Sequence, residues 1–179
     1  MLASRSPQRR AILEQLGIDF RVEAPEVEER AAGEPRTVVV ENALRKARAR
    51  ARPGERVLGA DTAVVVDGAI FGKPSGATEA EDVLRRLSGR THEVMSGIAV
   101  CEAGSERSGV AVTAVRFRTL EQADLGWYLA TGEWRERAGG YAIQGRGAAL
   151  VEEIEGDYWN VVGLPVPALL RLVPDLLRS

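Results

Sequence analysis

One aspartate, Asp61, stands in the middle of an apolar run from Val57 to Val66. The run is rich in β-branched residues and predicts a buried strand. A carboxylate on such a strand is costly unless it is paired, hydrogen-bonded or bound to a metal. Asp61 is therefore the first candidate for chemistry. Asp67-Gly68 follows, a strong hairpin signal, and Ala69-Ile70-Phe71 predicts the returning strand. Counting back from a two-residue turn sets Val66 opposite Ala69 and Thr62 opposite Lys73. That register brings a lysine beside the acid at the open end of the sheet. Asp61 and Thr62 point to opposite faces, so a bend at Gly72 or Pro74 decides whether Asp61 and Lys73 converge. The bland alternative is a surface hairpin with an ordinary salt bridge, and the apolar flanks argue against it.

Other residues could act on an anion. Of 24 basic residues only Lys46 and Lys73 are lysine. A compact ammonium suits phosphate as a point charge; codon bias is the competing reason. Ser6-Pro7 predicts a helix start, with serine as the cap and proline in the first turn. That turn combines Ser4, Ser6, free backbone N–H groups and the pair Arg9-Arg10, an arrangement that binds phosphate. Glu26, Glu28 and Glu29 follow Pro25 in a loop; clustered acids there either hold a divalent cation or form a solvated loop. Ala138 to Gly145, AGGYAIQG, is dense in glycine, which suits close approach to a ligand or a tight crossing. Tyr141 and Gln144 are its polar groups, and a glutamine can read the edge of a planar base.

The elements that must position these groups follow from spacing. The first helix turns Ile12, Leu13 and Leu16 inward and stops at Gly17. A short strand is expected over Phe20 to Ala24. A second helix runs from near Pro35 to about Arg52, with Val39, Ala43, Ala47 and Ala51 on its buried stripe and Lys46 beside it. Thr78 to Glu81 is a capping-box pattern that opens a helix carrying Ala80, Val83, Leu84 and Leu87 and ending at Gly89. Strands follow at about His92 to Cys101 and Gly109 to Phe117, joined by a polar turn. A helix near Glu121 to Ala130 carries Leu125 and Tyr128. A last strand, Ala149 to Ile154, precedes a terminal helix with Leu169, Leu170, Val173 and Leu176 inward and a kink at Pro174. His92, the only histidine, reads as structural, and no nucleophile-elbow motif is present.

At 179 residues and 45% hydrophobic, residues 1–179 suffice for one well-cored domain, with room for two lobes. The net charge of −2 argues against a general nucleic-acid binder. The run RKARARAR, Arg45 to Arg52, has no interleaved aromatics and reads as a solvated face. No stretch of about 18 apolar residues predicts a membrane span, and the first residues lack the order of a signal peptide. One cysteine, Cys101, forbids an intrachain disulfide and suits a reducing cytoplasm.

Several stretches together resemble the Maf family of nucleotide pyrophosphatases. They are LASRSPQRR (Leu2–Arg10), EVEE (Glu26–Glu29), RKA (Arg45–Ala47), GADT (Gly59–Thr62), GKP (Gly72–Pro74), LSGRTHEV (Leu87–Val94), RF (Arg116–Phe117), AGGYAIQG and VVGLP (Val161–Pro165). The resemblance implies an α/β fold, a twisted mixed sheet with flanking helices and two lobes around a deep nucleotide-binding groove. It implies hydrolysis of nucleoside triphosphates between the α and β phosphates, a divalent metal (Mg²⁺ or Mn²⁺) and a homodimer. GADT with AIQG resembles the branch acting on dTTP and UTP. By that resemblance Asp61 is the proton acceptor, Ser4, Arg9, Lys46 and Lys73 bind phosphate, and Glu29 is the metal-linked acid beside Asp61. Thr62 and Gln144 are specificity positions. Gln8 departs from the pattern: it stands where the branch usually has arginine, another position counted as setting specificity. Nucleotide-linked division control without turnover is the alternative, and a nucleic-acid module on the arginine run is a third.

Overall fold

The computed structural model describes residues 1–178. The chain is built around strand β2 (Val57–Val66), which runs through the middle of a six-stranded mixed sheet. Its hairpin forms as the sequence predicts: Asp67 and Gly68 both take positive φ, and Val66 pairs with Ala69 of β3 (Ala69–Phe71). One edge of β2 pairs antiparallel with β4 (Thr91–Glu102) from Val57 to Val65. The other edge is divided. Strand β1 (Leu2–Ala3) pairs parallel with Leu58 and Gly59, and β3 takes Val64 to Val66. Between them, 60–63 have no strand partner on that edge among the described residues. This gap leaves that edge of the strand open at one place. Strands β5 (Ser105–Phe117) and β6 (Val151–Glu155) complete the order β1-β2-β4-β5-β6.

Alternation along β2 assigns its side chains to two layers. On one face Leu58 and Ala60 pack with Ile12 and Leu13 of α1 (Pro7–Gln15) and Leu169 of α6 (Val166–Leu172). Further along the same face Val64 and Val66 pack with Leu84 and Leu87 of α3 (Ala77–Leu87) and Leu125 and Tyr128 of α4 (Gln122–Ala130). Thr62 lies between the two clusters, so one sheet carries two lobes with a groove at its centre. Val162 of α5 (Tyr158–Val162) packs against both.

The opposite face is covered by α2 (Pro35–Arg48). The helix lies close enough that a Cβ on Gly59 would come within 2.2 Å of the Ala43 carbonyl oxygen, and one on Gly97 within 2.1 Å of that of Val39. Gly97 is the cross-strand partner of Asp61. Two glycines thus admit the helix to contact distance at the level of the acid. Burial falls on Val39, Ala43 and Ala47 as the helical spacing requires.

Several expectations are corrected. Strand β3 ends at Phe71, so Lys73 does not pair opposite Thr62. Of the strand expected over Phe20 to Ala24 only a single bridge, Leu2 with Val22, forms. Helix α2 ends at Arg48 and leaves Ala51 exposed, because the chain turns toward Pro53. Thr78 caps nothing: Gly76 precedes α3, and the Glu79 carboxylate accepts instead from the Ser75 amide and hydroxyl. The β4–β5 turn is only Ala103-Gly104, both at positive φ, so the strands run longer than expected. The last strand starts at Val151, since 146–150 form a 3₁₀ turn. Helix α5 was not expected, although Asp157 caps it by accepting from the Trp159 N–H. Pro174 ends α6 rather than kinking it. No helix among the described residues is long and apolar enough to cross a membrane.

Candidate active site

The gap in β2 opens into a cleft of about 940 Å³. Its walls come from the β1–α1 turn, the loop 25–31, α2, the segment after β3, the turn at 136–138 and the end of α5. Asp61 is reached from the α2 side. Its Oδ1 accepts from Lys46 Nζ at 2.7 Å, and its Oδ2 from Asn42 Nδ2 at 2.9 Å. Asn42 and Lys46 are four residues apart on the helix, so one face presents both donors. The Lys46 ammonium also meets Glu29 Oε1 at 2.8 Å. One buried lysine thus joins two carboxylates, one buried on the strand and one half-exposed on the loop.

Thr62 is reached from the other face. Its Oγ1 accepts from Arg9 Nη2 at 3.1 Å and lies 2.8 Å from Ser96 Oγ. Arg9 is 8% exposed, and its other nitrogens donate to Ser4 Oγ and the Gly163 carbonyl. Every one of these partners is neutral. Burial pushes the Arg9 guanidinium below its ordinary pKa, while Asp61 and Glu29 oppose the shift from a distance. The helix start that supplies Arg9 forms as predicted: Ser6 Oγ accepts from the Arg9 N–H, and Pro7 is the first helical residue. The phosphate-suited turn therefore presents the Arg9 charge to the cleft unmatched by any contacting carboxylate, whereas Arg10 pairs with Glu14 at the surface.

The family model for Maf-like proteins matches residues 1–176. The chain belongs to the Maf family. A Symbiobacterium thermophilum relative is 49% identical over 177 residues, covering 97% of this chain and 91% of its own. Relatives from Dictyoglomus thermophilum (45% over 183 residues; 98% and 95%) and Thermococcus onnurineus (48% over 174 residues; 96% and 95%) follow. All three carry the name dTTP/UTP pyrophosphatase.

In this Maf protein the expected site residues all line the one cleft, but they do not all meet. Ser4, Arg9 and Thr62 form one hydrogen-bonded group, and Glu29, Lys46 and Asp61 another. Lys73 joins neither. It lies at the mouth, 61% exposed in its side chain, and donates to Glu136 Oε2 at 2.7 Å. The lysine beside Asp61 is Lys46, which α2 delivers to the face of the sheet where Asp61 points. Gln8 accepts from the Ser6 hydroxyl, and Gln144 stands exposed at the cleft. Tyr141 is buried, and its hydroxyl lies 2.9 Å from His92 Nε2. Burial drives the His92 pKa down to about 4, so the ring is neutral at pH 7.

The carboxylates fit a hard cation of the kind bound by one or two protein acids plus substrate phosphate. Glu29 Oε1 and Asp61 Oδ1 already converge on one positive group. Among the described residues no cluster of three or more His, Cys, Asp or Glu is arranged to hold a metal unaided.

Sequence reasoning missed Asn42. The signal was present: a carboxamide four residues before a retained lysine, on a stripe otherwise made of Val39, Ala43 and Ala47. It also missed Ser96, whose partner Thr62 lies directly across from it on β4.

Proposed function

We propose that this protein is a nucleoside triphosphate pyrophosphatase, releasing a nucleoside monophosphate and pyrophosphate, with dTTP and UTP as its substrates. The observation that carries the reading is Arg9: a buried guanidinium of α1 with only neutral partners, one of which, Thr62, is the next residue along β2 from the buried carboxylate of Asp61. Such a pair suits an anion that must be both held and attacked. The names of the relatives supply the base preference.

In this reading Arg9, the start of α1 and Lys46 hold the triphosphate and neutralise its oxygens. Lys73 leaves Glu136 to meet the outer phosphates. Asp61, oriented by Lys46 and Asn42, positions a water against the α-phosphorus and accepts its proton at a carboxylate oxygen. Glu29 and Asp61 would hold Mg²⁺ or Mn²⁺ together with phosphate, and the cation supplies further charge neutralisation and acidifies bound water. Gln144 and Thr62 meet the nucleoside end. Gln8, a neutral amide at the α1 start, tunes the choice of base.

The test is a hydrolysis panel with dTTP, UTP, CTP, 7-methyl-GTP and ATP, with Mg²⁺ or Mn²⁺ and separated products. Monophosphate plus pyrophosphate from the pyrimidine substrates is expected, and Asp61→Asn should abolish turnover while nucleotide still binds. Orthophosphate plus a diphosphate would mean that the wrong bond breaks. Binding without turnover of any substrate would leave a nucleotide-sensing protein.

A further inference from the structure

The segment 25–31 carries Glu29 and has no helix or strand of its own. Something must hold it against the site. Its charged anchors are peripheral: Arg45 donates to the Glu28 carbonyl, and the Arg30 side chain pairs with Glu41 at the surface. The inner anchor is Asn42, which is 2% exposed. Its Oδ1 accepts from the Arg30 N–H at 2.8 Å, and its Nδ2 donates to the Arg30 carbonyl at 3.0 Å. The same Nδ2 donates to Asp61 Oδ2 at 2.9 Å. The donor and acceptor ends of the amide are both committed, so its orientation is unambiguous.

We propose that Asn42 is a positioning residue, holding the Asp61 carboxylate and the Glu29-bearing loop in one register. Among the described residues no other side chain bonds directly to both Asp61 and the backbone of that loop. Lys46 also links the two, but through the Glu29 side chain, which is half-exposed and must loosen when substrate or a cation competes for it. Asn42 grips backbone on one side and a buried carboxylate on the other, so its grip survives that exchange. Aspartate in its place would keep the acceptor for the Arg30 N–H and lose both donated bonds. Leucine would lose all three.

This inference rests on the reading of Asp61 as the reacting carboxylate, so the experiment separates the two. Wild type, Asp61→Asn, Asn42→Ala and Glu41→Gln are compared for kcat, KM and melting temperature. Trypsin cleavage after Arg30 is followed in each. Alanine keeps α2 helical. Asn42→Ala is expected to lower kcat by about 10- to 100-fold, the usual cost of removing a group that orients a functional carboxylate, with KM within about 3-fold. Cleavage at Arg30 should become roughly 5- to 30-fold faster as its two backbone bonds are lost. Glu41→Gln, which breaks only the surface pair, should leave kcat as in wild type. Should Asn42→Ala not fold, Asn42→Ser repeats the comparison with a hydroxyl too short to reach both partners. A folded Asn42 variant with wild-type kcat, beside an inactive Asp61→Asn, overturns the inference and spares the proposed activity. Absence of turnover in wild type sinks that activity instead; unchanged cleavage at Arg30 would then overturn the role of Asn42 on its own.

Discussion

Arg9 and Lys46 are both buried cations on the wall of one cleft, and the protein treats their charges in opposite ways. Lys46 is matched by two carboxylates, Asp61 and Glu29. Arg9 is held by a serine, a threonine and a carbonyl, all neutral. Ion pairing organises the first and occupies its charge until substrate or a cation competes for Glu29. The second is oriented by hydrogen bonds without being neutralised, which suits a group whose counter-ion arrives with the substrate. The lesson is that burial alone does not mark a phosphate-binding cation; the charge of its partners does.

Replacing each cation should break the comparison differently. Lys46→Met leaves Asp61 buried without its cation, so stability measured by denaturant at pH 7 should fall by about 3 kcal/mol. A change under about 1 kcal/mol would mean that the pair is screened. His92 offers a third buried basic group, neutral by design. Its pKa of about 4 lies below the ordinary 6.5, so the unfolded chain binds the proton first. The stability it protects is complete above pH 6.5 and declines as pH falls toward 4, by on the order of 3 kcal/mol in all. Stability curves from pH 7 to 4 should therefore be flatter in His92→Phe than in wild type.

Arg9→Gln should do the reverse of Lys46→Met. Its partners are neutral, so stability should change by less than about 1.5 kcal/mol, while KM for the triphosphate rises about 10- to 100-fold through lost charge-assisted bonds. A large stability loss with unchanged KM would erase the distinction drawn between the two cations. Lys73→Ala sets the small end. An exposed pair contributes about 0–1 kcal/mol, so melting should barely move and kcat/KM should fall no more than about 10-fold, through KM. A loss as large as that for Asp61→Asn would bring Lys73 into the reacting centre.

Of 18 ion pairs in the described residues, 15 are formed by arginines, and in each of these both side chains are at least 25% exposed. The arginine run after Lys46 belongs to this class: Arg48 pairs with Glu106 and Arg52 with Glu23. Arg45 and Arg50 of the same run donate instead to backbone carbonyls, those of Glu28 and Ala24.

Local pattern was enough for much of the fold. The Asp-Gly hairpin, the serine cap and proline before Arg9, and the stripes Val39-Ala43-Ala47 and Val83-Leu84-Leu87 are short-range signals, and each appears where its spacing puts it. Where local signals competed, they misled: the Thr78 pattern lost to the turn at Ser75-Gly76, and the hairpin register was extended two residues too far, to Lys73. By itself the sequence determined that Asp61 is a carboxylate on a buried strand and therefore needs partners. Which partners was a tertiary decision. Lys46 and Asn42 are 15 and 19 residues away and reach Asp61 only because Gly59 and Gly97 let α2 settle onto the sheet. Arg9 and Thr62, 53 residues apart, meet only because β1 and β3 leave a gap along the same edge of β2. Backbone spacing of that kind is set by how whole elements pack, and no local run of residues records it.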